Sequence, residues 1–157
     1  MGNYSTSGIL VLVHPTGKVA KFLGYAGLIP FIGLTLVLFI ADEDTAVLAR
    51  FAFQAYAAII LTFIGGVHWG LIVNEKDFNN VKLVMTGSIV PSLLAWFSIL
   101  LPLPVGLAIL LLSFLALFFY EYKFLWPTLF PPWYRRLRSI LTGIVCLLIT
   151  FNLVGSL

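Results

Sequence analysis

Charge is what this sequence lacks. Its 157 residues include nine Lys/Arg, six Asp/Glu and two His, leaving 10% of positions charged and 61% hydrophobic. A soluble domain has about 25% charged residues and about 45–50% apolar ones. So few charges cannot coat a water-soluble globule, which excludes soluble enzyme folds and disordered chains. Cysteine is scarce too: Cys146 stands alone, which excludes an intrachain disulfide and a Cys-based metal site. His14 and His68 are the only histidines, too few for zinc, which takes three or four ligands, so no metal is expected. No acidic residue is read within a span, which argues against an ion or proton channel. What remains is an integral membrane protein of mean hydropathy +1.09. The pI near 9.2 comes from cations beside apolar spans, a pattern of membrane orientation and anionic lipid rather than nucleic acid.

The gaps between charges place the spans. Phe22–Ala41 is uncharged and long enough for one helix across a hydrocarbon core of about 30 Å. A second gap runs from Phe51 to Asn74. The third, Leu83 to Tyr120, would make a single helix of about 57 Å at about 1.5 Å per residue. It divides at Leu101-Pro102-Leu103-Pro104, where two prolines remove backbone donors and restrict the residue before each. The last gap runs from Ser139 to Leu157. The expected fold class is therefore all-α, a five-transmembrane-helix bundle with helices near 22–41, 46–73, 83–101, 105–122 and 137–157. A re-entrant hairpin is the alternative for the third and fourth.

Orientation follows from the Lys/Arg bias. Lys18, Lys21, Lys76, Lys82, Lys123, Arg135, Arg136 and Arg138 collect on one side, and only Arg50 lies on the other, beside Asp42-Glu43-Asp44. This puts the N-terminus in the cytoplasm and the C-terminus outside. Residues 1–17 read as a short interfacial segment, since Gly8–Val13 is apolar but too short to span. Met-Gly-Asn-Tyr-Ser-Thr also fits the loose N-myristoylation pattern. Residues 18–157 form one membrane domain.

The intramembrane polar groups are few. At about 100° per residue, Arg50, Gln54, Leu61 and His68 share a narrow sector of the second helix, with Gly65 close by. Such a stripe should face protein or a water-filled cavity. Arg50 is expected to pair with the acidic turn and Gln54 to bond another helix, both as structural polar groups. Near the other end, Gly65, Gly66 and Gly70 permit close approach of a helix, a ring or an acyl chain, beside His68 and Trp69. These five residues are the candidate site for ligand or helix packing. Pro91 reads as a structural kink in the third helix. Trp133, Tyr134, Arg135, Arg136 and Arg138 read as a lipid-headgroup contact, with aromatic rings at headgroup level and guanidiniums on phosphate.

Gly24-Tyr-Ala-Gly-Leu-Ile-Pro-Phe31, Phe63-Ile-Gly-Gly-Val-His-Trp-Gly70, Pro91-Ser-Leu-Leu-Ala-Trp96 and Pro132-Trp-Tyr-Arg-Arg-Leu-Arg-Ser-Ile-Leu-Thr142 resemble the transmembrane protein 69 family. That family comprises small multi-helix membrane proteins of bacteria and mitochondria whose domain has no assigned function. The resemblance covers roughly residues 18–157 and implies an inner membrane, while supplying no catalytic residue. The short N-terminus favours a bacterial inner (cytoplasmic) membrane over a mitochondrial one.

Two functions are expected from different classes. The first is a non-enzymatic accessory or assembly subunit of an inner-membrane complex, such as a respiratory one, with lipids and other membrane subunits as partners. The second is a stand-alone binder or carrier of an amphiphile, a lipid, quinone or flat ring, near His68 and Trp69. No cofactor is expected beyond such a bound molecule. An enzyme ranks last: no recognisable spacing joins Glu75, Asp77 or Glu121 to His68, and no catalytic residue is assigned.

Overall fold

The computed structural model describes residues 7–72, 81–127 and 129–156, with 7–16, 72 and 83 by their backbone alone. Helices α1 (Ser7–Ala26) and α2 (Leu28–Val37) follow one another with only Gly27 between them. Pro30 has no N–H to return to the Ala26 carbonyl, which weakens the ladder at this point. The Gly27 N–H still bonds Leu23 O at 2.9 Å, so the chain carries on in nearly the same course. α3 (Glu43–Ile72) is the longest element; α4 (Val81–Ile99) and α5 (Leu103–Tyr120) form a hairpin turned by Pro102. A π-helical turn, Glu121–Leu125, extends α5, and α6 (Pro132–Val154) closes the bundle.

Among the described residues four stretches are long and apolar enough to cross a membrane: Gly17–Val37, Glu43–Leu71, Leu103–Leu125 and Pro132–Val154. Val84–Ile99 is a fifth, shorter apolar helix. Five helices therefore stand in the bundle, and no strand occurs among the described residues. The boundaries differ from the charge-gap reading at three places. The helix Ser7–Ala26 runs straight through His14-Pro15-Thr16-Gly17, where the interfacial segment 1–17 was expected to end. α6 begins at Pro132 rather than near 137, because proline suits the first helical turn and Pro131 supplies an extended N-cap with ψ 154°. Third, the span Leu103–Leu125 contains Glu121, so an acidic residue does lie within a span. The N-myristoylation pattern at 1–6 and the charges Glu75, Lys76 and Asp77 fall outside the described residues.

The core sits where α2, α3, α5 and α6 meet. Phe31, Phe53, Ala57, Leu61, Leu107, Leu110, Phe114 and Ile149 are all buried there. Phe31 packs edge-on against both Phe53 and Tyr56, with ring centroids 5.3 and 4.8 Å apart. Large apolar side chains also cover the outside, Phe22 at 73% and Leu147 at 72% exposure, while Gln54, His68, Glu121, Arg138 and Asn152 are buried. A globule in water has the opposite arrangement. A chain whose outer face meets lipid must turn its polar groups toward one another.

Candidate functional site

The polar stripe of α3 is turned inward, and its two ends meet different partners. At the Arg50 end, Arg50 Nη2 donates to the Gly155 carbonyl at 3.1 Å, at the C-terminus of α6. Arg50 was expected on the acidic turn; the unpaired carbonyls at a helix C-terminus attract a cation instead. Asp42 meanwhile caps α3, its carboxylate accepting the Thr45 N–H at 2.9 Å. Bonding to the Thr45 hydroxyl and then to its backbone amide holds the Asp42 carboxyl below its ordinary value. One turn deeper, Gln54 Nε2 donates to Ser98 O of α4 at 2.7 Å. Gly106 of α5 makes this crossing fit, since a Cβ there would run into the Gln54 amide and the Ser98 carbonyl. Asn152 Nδ2 ties α6 to α2 through Thr35 Oγ1 at 3.0 Å.

At the His68 end the partners are ionic. His68 is 1% exposed, Glu121 0% and Arg138 5%. His68 Nε2 lies 3.1 Å from Glu121 Oε1, and Arg138 Nε donates to Glu121 Oε2 at 2.8 Å. Arg138 Nη2 reaches Oε1 at 3.4 Å, and Nη1 donates to Thr142 Oγ1 at 2.7 Å. An ionised carboxylate only accepts, so the shared proton sits on His68 Nε2 and the carboxylate sets the tautomer. Nδ1 is then a buried acceptor without a partner among the described residues. The π turn carries the pair: Trp126 N–H bonds Glu121 O at 2.9 Å, five residues back. Single π turns of this kind recur at functional sites.

The expected site residues therefore separate. Gly65 seats α4, for a Cβ there would stand 2.6 Å from Ser88 O. Gly66 and Gly70 have nothing within 4 Å, and Trp69 is 46% exposed, so these three face outward, away from His68. Arg138, expected on lipid headgroups, is enclosed, and its guanidinium is taken up by Glu121 and Thr142. Arg135 Nε donates to Phe130 O at 2.7 Å, and Arg136 is exposed. Trp133 packs on Gly17, and Tyr134 stacks on Phe130 with centroids 4.6 Å apart. Glu121 was missed because a charge was taken to end a span. Two signals pointed to it: the apolar run resumes beyond it at Phe124-Leu125-Trp126, and Arg138 and Thr142 are spaced four apart on one helix face.

Beside the network lies a cleft of about 410 Å³ between α1–α2, α3 and α6. Leu23, Phe31, Phe63, Ile64 and Phe114 are among its apolar walls, and Tyr134, Arg138 and Thr142 form its polar end. A second cavity of about 340 Å³ lies between α4 and α5 against Pro91 and Tyr120. Among the described residues no group of three or more His, Cys, Asp or Glu gathers as a metal site.

Comparison with known proteins adds lineage to this geometry. Residues 16–154 match the profile of a domain family described as "protein of unknown function (DUF3429)". "Transmembrane protein 69" of Xenopus tropicalis is 38% identical over 146 residues, 89% of this chain and 54% of the relative. The Mus musculus protein of the same name is 34% identical over 131 residues, 80% of this chain and 51% of the relative. This chain thus spans about half the length of these two relatives. No solved structure matches it. The matched segment includes every residue of the His68–Glu121–Arg138 network, and the chain belongs to the transmembrane protein 69 family.

Proposed function

We propose that this protein binds an amphiphilic molecule, a lipid, a quinone or another flat ring, in the cleft between α1–α2, α3 and α6. One observation carries the reading: a cleft of about 410 Å³ with apolar walls ends on a buried, hydrogen-bonded guanidinium. Ligand pockets have this form, mostly apolar with a few fixed polar groups, in the range of about 300–1,000 Å³. Of the site residues expected from the sequence, Tyr134 and Arg138 line this cleft, and Gly65, Gly66, His68, Trp69 and Gly70 do not. His68 acts there indirectly, by holding Glu121, which in turn holds Arg138. The test is extraction in mild detergent followed by mass spectrometry of retained small molecules. Ala20→Phe, which places a ring in the cleft, is expected to remove the retained molecule, whereas His14→Ala keeps it. Equal retention in both variants overturns the reading.

The bundle is read as lying in an inner membrane, bacterial or organellar, with the N-terminus on the cytoplasmic or equivalent side. The Lys/Arg asymmetry supports that orientation. Cysteine-labelling from either side of sealed vesicles tests it, at Lys18→Cys and Asp42→Cys in a Cys146→Ser background. Labelling of both from the same side overturns it.

A second reading, an accessory or assembly subunit of a larger membrane complex, is favoured by the outer face of α3. Gly66 and Gly70 leave open backbone there beside the exposed Trp69, a surface on which a partner helix fits closely. Gly66→Leu should then lower the abundance of a co-migrating complex in native gels, and unchanged abundance counts against it.

A further inference from the structure

The polar end of the cleft has a chemical bias that narrows its occupant. Arg138 gives Nε and Nη2 to the two carboxylate oxygens of Glu121 and Nη1 to Thr142 Oγ1. The carboxylate is thus engaged by Arg138 and His68 together, and Glu121 is fully buried and does not line the cleft, so it offers no acceptor to a ligand there. Thr142 receives a bond from Arg138, but its own proton has no acceptor among the described residues. In contrast, the Thr35 and Thr150 hydroxyls donate to the carbonyl four residues back. The Tyr134 hydroxyl likewise has no bonded partner among the described residues, and Tyr134 is one of the residues that line the cleft. The wall therefore offers donors: the Thr142 and Tyr134 O–H groups and the remaining Nη–H groups of Arg138.

Charge narrows the choice further. The Arg138 guanidinium and the Glu121 carboxylate cancel, and both are buried. An anion entering here would meet a cation already neutralised and a carboxylate behind it, in a region where an unmatched charge is costly. A neutral acceptor avoids this. We propose that the cleft selects an uncharged, lipid-soluble molecule bearing carbonyl acceptors, one for Thr142 and one for Tyr134, over an anionic phosphate headgroup. Both a quinone ring and a neutral acyl ester present such carbonyls. This inference rests on the cleft being the binding site.

The experiment is native mass spectrometry of the full chain released from phosphatidylcholine nanodiscs. The discs are supplemented in turn with a benzoquinone carrying a ten-carbon tail, dioleoylglycerol or dioleoyl phosphatidic acid. One uncharged probe is expected to bind at one molecule per chain, at least about tenfold tighter than phosphatidic acid, which carries the same ester carbonyls as dioleoylglycerol with an added phosphate, since each 1.4 kcal/mol is tenfold. Whichever neutral probe is retained at the lower concentration identifies the source of the carbonyl. Tyr134→Phe and Thr142→Val should each weaken it about three- to tenfold, the range of one lost hydrogen bond. Tyr134→Phe leaves every bond of the ionic network in place, so it keeps the test valid should Thr142→Val fold poorly. Phosphatidic acid binding as tightly as the neutral probes, and lost in Ala20→Phe, overturns the selectivity while leaving the cleft as the site. Neutral-probe binding unchanged by Tyr134→Phe and Thr142→Val overturns the donor wall. Binding of all probes unchanged by Ala20→Phe overturns the cleft itself.

Discussion

The two ends of α3 handle the same problem, a cation in a lipid-facing bundle, in opposite ways. Arg50 meets the C-terminal carbonyls of α6, which carry only partial charge, and stays partly exposed. Arg138 is enclosed and meets a full carboxylate, which is itself bonded to His68. Around Arg50 the interhelical bonds are between neutral groups, Gln54 to Ser98 and Asn152 to Thr35. The first arrangement is a set of separable ties between neighbouring helices. The second is one unit joining α3, the π turn and α6, in which no member can be removed without stranding another. The proposed ligand site rests on the second, because fixed donors beside a cleft are what such a site requires.

The largest expected effect tests that contrast directly. Glu121→Gln keeps the shape of the side chain but leaves the Arg138 charge buried and unmatched, at a cost of about 3–5 kcal/mol. Thermal unfolding in detergent micelles should show it, and a double variant, Glu121→Gln with Arg138→Met, should regain part of the loss. Additive losses in the double variant would mean that the pair is not a unit.

Next is Gly106→Ala, where the added methyl must displace the Gln54–Ser98 bond; overpacking of this sort costs about 1–3 kcal/mol. The same measurement reads it, and Gln54→Leu combined with Gly106→Ala should lose little more than Gly106→Ala alone. Arg50→Gln ranks third. Its bond is to carbonyls at a helix end, worth about 0.3–1 kcal/mol, and equal losses for Arg50→Gln and Glu121→Gln would erase the distinction between the ends.

The smallest effect belongs to Asp42, which is fully exposed. Its folded carboxyl titrates below the ordinary value of 3.8. The capping contribution is therefore complete above that value and fades as pH falls through the lowered one. Asp42→Ala should remove this acid dependence, as read by the helix content of reconstituted protein between neutral pH and pH 2.

These residues also mark what a linear reading can and cannot see. Helix number and the inward stripe of α3 were legible because lipid imposes long uncharged runs and penalises polar groups that face outward. Gln54 and His68 were found from azimuth alone. Glu121 and Arg138 were not, because their burial depends on a partner seventeen residues away and on the π turn that aims Glu121 inward. Gly65, Gly66 and Gly70 looked alike in the sequence. Only the neighbouring backbone of α4 distinguishes Gly65 from the two that face outward.

The spacing of the ionic pair also bears on how the chain enters a membrane. Glu121 leaves the ribosome before Arg138 and long after His68, and only a short turn separates α5 from α6. An arginine inside an emerging helix opposes its insertion by up to about 2.5–3.5 kcal/mol when alone at the bilayer centre. Here the neutralising carboxylate is already waiting on the preceding helix. α5 and α6 are thus suited to partition into the bilayer together as a self-neutralised hairpin. In the folded bundle His68 ties that hairpin to α3 through the same carboxylate.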